Sequence, residues 1–158
     1  MMGASTPLTP SMKTLIPSLA VIALLVPAVR AADEPRQPVS MPEMMQTHMR
    51  ANMRDHLLAV SEIQSALASG QYDLASDTAE KRLGMTSLEA HDARHMAGFM
   101  PEGMQAIGTA MHHAASRFAL VAQEAAVSAD LPCALAALSE VTQQCTACHA
   151  RYRLVGGP

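Results

Sequence analysis

Residues 145–153 read Cys-Thr-Ala-Cys-His-Ala-Arg-Tyr-Arg, CTACHARYR. On a helix, Cys145, Cys148 and His149 stand at i, i+3 and i+4 and share one side. Followed backwards, the same side collects Ala134, Leu138 and Val141, and followed forwards it reaches Tyr152. This stripe predicts a helix whose chemically active residues lie on its buried face. Asp130 is placed to cap it, with Pro132 tolerated in the first turn. A helix with such a face needs partner helices, and the rest of the chain has the composition to supply them.

Alanine, leucine and methionine dominate the remaining sequence, no strand pattern stands out, and aromatic side chains are almost absent. A first helix is expected from about Glu43 to Ser69, ended by Gly70, along a stripe of Met45, Met49, Met53, Leu57, Val60, Ile63 and Leu67. A second is expected from Tyr72 to Gly84. Thr86 and Glu89 have capping-box spacing for a short helix toward Ala97. Phe99 to Gly103 breaks that helix. A further long helix follows from about Glu102 to Ser128, with a stripe of Met104, Ile107, Met111, Ala114, Phe118, Val121 and Ala125. The expected architecture is all-α, an antiparallel up-down four-helix bundle over residues 43–158.

Residues 1–31 read as a signal peptide. Lys13 supplies the positive end, Leu15 to Val26 an apolar run of twelve residues, and small residues around Ala31 and Ala32 a cleavage site. The run is shorter than the roughly 20 residues of a spanning helix and contains Pro17, so no stable membrane insertion is expected after the leader is removed. Residues 32–42, rich in proline, read as a flexible lead-in. The mature chain keeps nine of the 11 basic side chains against all 14 acidic ones, which excludes a nucleic-acid footprint. The expected compartment is the periplasm.

There are three cysteines, an awkward number for a disulfide framework in an oxidising compartment. Cys133 reads as a lone buried thiol without a role. A zinc site needs a second ligand pair that the sequence lacks. A redox dithiol of the thioredoxin kind belongs at a strand–helix junction. Cys-x-x-Cys-His is the attachment signature of c-type haem. The two thiols add to the porphyrin vinyl groups, and the following imidazole is a suitable proximal iron ligand.

The chain resembles the class II c-type cytochromes, the cytochrome c′ and cytochrome c556 group, over roughly Pro42 to Arg153. The resemblance is carried by Cys145, Cys148, His149, Tyr152 and Arg153, and more weakly by GQYD (Gly70–Asp73) and FMPEG (Phe99–Gly103). It implies one covalent haem c on Cys145 and Cys148, His149 as proximal iron ligand, and Arg153 and Arg50 near the haem. It also implies a distal position facing the first helix, where Met44 to His56 read MMQTHMRANMRDH. Met53 is the expected distal ligand, with Met49 and His56 as competitors. His/Met ligation implies a one-electron carrier rather than an enzyme, served by periplasmic redox partner proteins. A non-ligating residue there implies five-coordinate iron that binds NO or CO. Relatives of this kind often form homodimers through their first two helices.

Ten methionines follow Ala31, and histidines stand beside several of them: His48, His95, His112 and His113. Thioether and imidazole suit Cu(I) and Cu(II) respectively, so periplasmic copper handling is an expectation of a different class. The plainer reading makes the methionines gap-fillers and leaves His48, His112 and His113 solvated.

Overall fold

A computed structural model describes residues 34–157, so the expected leader lies outside the described residues. The elements in chain order are β1 (Gln37–Met41), α1 (Glu43–Ala68), α2 (Tyr72–Arg82), a 3-10 turn at Met85–Ser87, α3 (Ala93–Ala97), α4 (Glu102–Ser128), α5 (Leu131–Arg151) and β2 (Tyr152–Gly156). The chain is mostly helical, in keeping with the expected all-α class.

The long helices α1 and α4 start the same way. Met41-Pro42-Glu43 opens α1 and Met100-Pro101-Glu102 opens α4, with the prolines at φ −55°, ψ 148° and φ −56°, ψ 148°. Proline fixes φ and needs no donor at this point. The glutamate after it lies in the first turn, at the positive end of the helix dipole. α1 ends as its glycine foretells: Gly70 takes φ 70°, its N–H reaches the Leu67 carbonyl, and the Gln71 N–H reaches that of Ala66. Asp130 caps α5 by accepting from the Cys133 N–H at 3.0 Å.

α1 packs on α2, α2 on α4, and α4 on α5. Their shared core sets Ala59, Ile63, Ala75, Ala79, Ala114, Ala122, Leu138 and Val141 around Phe118, with the alanines letting the helices approach closely. A second core joins Val39, Met41, Met45, Met49, Met96, Met104 and Tyr152. The two strands belong to this second core.

The structure corrects several expectations. Two short strands form where none was foreseen, and Gln37–Met41 of the expected lead-in is one of them. β1 and β2 pair in parallel, in register from Gln37 opposite Tyr152 to Met41 opposite Gly156. Each is five residues long, too short for alternation to show above background. α5 therefore ends at Arg151, and Tyr152 reaches the core from extended backbone. Thr86 does not cap a helix. Its N–H and hydroxyl go to the Glu80 carboxylate and carbonyl, which holds the 3-10 turn against α2.

On α1, Leu57 is 72 % exposed while His56 is buried. The cause is helical drift. Steps of four advance by about 40° each, so Leu57 stands about 120° from Met45, whereas His56 stands only about 20° from it. Cys133 is exposed rather than buried, on the first turn of α5.

Candidate functional site

A cleft opens between α1, α3, α4 and the junction of α5 with β2. It has a cavity of about 260 Å³ within about 1080 Å³ of empty space that includes its mouth. Ligand and cofactor sites generally run from about 300 to 1,000 Å³. Its walls include Met49, Met53 and His56 from α1, Met96 and Met100 around α3, and Met104, Met111 and His112 from α4. Cys148, His149, Tyr152 and Arg153 close the side formed by α5 and β2.

Most of the residues singled out from the sequence therefore meet here. Cys148 and His149 face the same space as Met53, Met49 and His56. Cys145 lies one turn back, packed on the main core, with its thiol directed at the Val141 carbonyl at 3.6 Å. Cys148 packs on the methionine-rich core instead, so the pair bridges the two cores. Burial raises both thiol pKa values, which keeps these sulfurs protonated at neutral pH.

Of the two arginines, Arg153 lines the cleft, and its Nε is buried without a hydrogen-bond partner. Arg50 is exposed and does not line it. It donates from Nη2 to Gln46 Oε1 at 2.8 Å. Gln46 in turn donates to the carbonyls of Met41 and Val155, each at 3.0 Å, and so clamps both strands to α1. Arg36 reaches the His149 carbonyl at 3.4 Å. Thus the strand pair and its two side-chain clamps fix the end of α5 that carries the motif.

Sequence reasoning named His56 as a competing iron ligand and His112 among the copper candidates, but missed His91 and the meeting of all three imidazoles in the cleft. His56, His91 and His112 come from α1, the segment before α3, and α4. Their ring centroids are 4.6 Å (His56–His91), 5.7 Å (His91–His112) and 6.0 Å (His56–His112) apart. His112, read as solvated in the plainer account, is buried. Burial and the neighbouring imidazoles push His56 down to about 4. Burial also lowers His91, with His112 adding to it, and lowers His112 against the opposing bond to Leu83. All three are neutral at neutral pH. The signal was available for His56, at its 20° offset from the Met45 stripe, and for His112 beside Met111. Nothing local marks His91, which the loop alone brings in.

Beside the trio, Arg82 ties α2 to α1 through the carboxylates of Asp55 and Glu62. His48 and Asn52 both contact the His91 carbonyl, at 3.1 and 3.2 Å, and hold the loop on α1. His113 and His95 are exposed.

No protein-family model, curated protein or solved structure matches this chain.

Proposed function

We propose that this chain is a periplasmic class II c-type cytochrome. In this reading α1, α2, α4 and α5 form a four-helix bundle around one haem c, and the protein is a one-electron carrier rather than an enzyme. The observation that carries it is the convergence of Cys148, His149 and Met53 on one apolar cleft. The orphaned Arg153 Nε also fits, because a buried guanidinium N–H there lacks only an acidic acceptor, such as a carboxylate side arm.

Cys145 and Cys148 are the residues that would hold the group through thioethers, and His149 would ligate its iron. The bound group supplies the one-electron couple. The chain supplies the rest. Methionine sulfur from α1, Met53 first and Met49 next, is a soft ligand that favours the reduced metal and raises the potential. The methionine-rich walls keep water from the site and lower its local dielectric. His149 is exposed on the rim, where a redox partner protein would approach.

Intact mass and the optical spectrum of protein made in a host with haem-attachment machinery test this. One covalent haem and low-spin ferric bands are expected. Met53→Ala should turn them high-spin, while Met49→Ala and His56→Gln should not. A colourless protein of unmodified mass sinks the reading. High-spin bands in the unaltered protein replace electron carriage with five-coordinate binding of NO or CO.

A further inference from the structure

We propose that His56, His91 and His112 form a copper site, separate from the Cys145–His149 motif. None of the three imidazoles belongs to α5; of the cleft methionines named below, Met53 and Met49 are also the candidates for the haem iron, which leaves Met111 to copper when haem is attached.

The hydrogen bonds fix which ring nitrogens are free. The Leu83 carbonyl can only accept, so His112 donates to it from Nδ1 at 2.7 Å and keeps its lone pair on Nε2. Ser87 gives its own hydroxyl proton to the Gly84 carbonyl at 2.7 Å. Its oxygen is left to accept from His91 Nδ1, 3.4 Å away, which again leaves Nε2 bare. An Nδ1–H held by a carbonyl or hydroxyl, with Nε2 turned elsewhere, is how metal-binding histidines are commonly oriented. The third ring, His56, is buried to all but 9 % of its surface, and its Nε2 has no partner at all.

The spacing suits a shared ion. Metal–imidazole bonds of about 2.0–2.1 Å put each ring centroid roughly 3 Å from the ion, and hence roughly 5 Å from its neighbours at tetrahedral angles. The observed separations, 4.6 to 6.0 Å, bracket that value. As the rings stand, no three His, Cys, Asp or Glu groups among the described residues are set around a common point. His56 is free to turn toward such a point, because it breaks no hydrogen bond at Nε2 in doing so.

The surroundings choose the metal. Met49, Met53 and Met111 line the same cleft, whose wall offers thioether and imidazole but no carboxylate. Imidazole serves zinc and copper alike, whereas thioether selects copper, above all Cu(I). The site would thus accept copper in both oxidation states, with the thioethers, which do not serve zinc, favouring copper over it.

The full-length exported protein, stripped with chelator, is titrated with Cu(II) and, under reducing conditions, with Cu(I). One equivalent should bind with a dissociation constant below about 1 μM. Pulsed paramagnetic resonance of the Cu(II) form should count three imidazole nitrogens. His56→Gln, His91→Gln and His112→Gln should each weaken binding by more than the roughly 10–100-fold that losing an orienting partner costs. The exposed His95→Gln and His113→Gln should leave it unchanged. No uptake, fewer than three imidazoles, or uptake lost only in the exposed variants overturns the assignment. So does retention of Zn(II) in preference to copper. The nitrogen count on unaltered protein decides the matter even if His112→Gln fails to fold. Haem content, read separately by mass, reports only on the cytochrome reading.

Discussion

His112 donates from Nδ1 to the carbonyl of Leu83 across 2.7 Å, tying the middle of α4 to the residue that ends α2. Nothing in either local sequence announces the bond, yet it holds a buried imidazole in one tautomer beside two others.

Acid should weaken the fold through this cluster. His56 titrates at about 4 in the folded chain against an ordinary 6.5, and His91 and His112 shift in the same direction. Between those values the unfolded chain binds protons that the folded chain refuses. The stability that His56 contributes is therefore complete above about pH 6.5 and lost as pH falls toward 4, and His91 and His112 add to the loss in the same direction. His56 alone accounts for roughly 2–3 kcal/mol. The groups around it act in both directions: Asp55 favours its protonation, while Arg82, His91 and His112 oppose it. Urea midpoints at pH 7 and pH 4.5 measure the loss, and His56→Gln should flatten the dependence. A midpoint that does not move between those pH values contradicts it.

Ile63 and Leu57 separate the true buried face of α1 from the one suggested by steps of four. Ile63 is fully buried and Leu57 is 72 % exposed. Ile63→Ala should cost about 2–5 kcal/mol, Leu57→Ala no more than about 0.5 kcal/mol. Denaturant unfolding of the two variants gives both numbers, and comparable losses would mean that α1 is rotated.

Gly103 makes room for Tyr152. A Cβ at Gly103 would stand 2.6 Å from the tyrosine hydroxyl, at the point where α4 begins and α5 gives way to β2. Gly103→Ala should cost roughly 1–3 kcal/mol by overpacking. Adding Tyr152→Phe should recover part of that loss, because it deletes the obstructing oxygen. A double-mutant cycle showing no coupling between the two positions rules the contact out.

Ala129 ends α4 with a left-handed backbone, φ 55° and ψ 28°. An L-residue with a Cβ pays about 1 kcal/mol for that conformation, and glycine does not. Ala129→Gly should therefore raise stability by roughly 0.5–1 kcal/mol, read as a higher thermal midpoint. A lower midpoint means that the Cβ makes a contact worth more than the strain.

How much could be read beforehand varies with the range of the interaction. α4 was expected at Glu102–Ser128 and is found there, because Pro101, a helix-forming run and a regular stripe act locally. The Gly70 stop and the Asp130 cap are local as well, and both hold. The strands failed the same reading because each is stabilised by the other, more than a hundred residues away along the chain. The Thr86 capping box failed because Glu80, on the preceding helix, competes for the same hydroxyl and N–H.

By itself, then, the sequence determined the helical class, the main helix boundaries and the spacing of Cys145, Cys148 and His149, since all of these follow from the 3.6-residue repeat and from caps a few residues long. Only the tertiary structure decided that Met53 and His149 share a cleft, that Cys145 and Cys148 rest on different cores, and that His91 joins His56 and His112. Those are contacts between distant segments, fixed by which helix faces can be buried together and which polar groups must then find partners out of water.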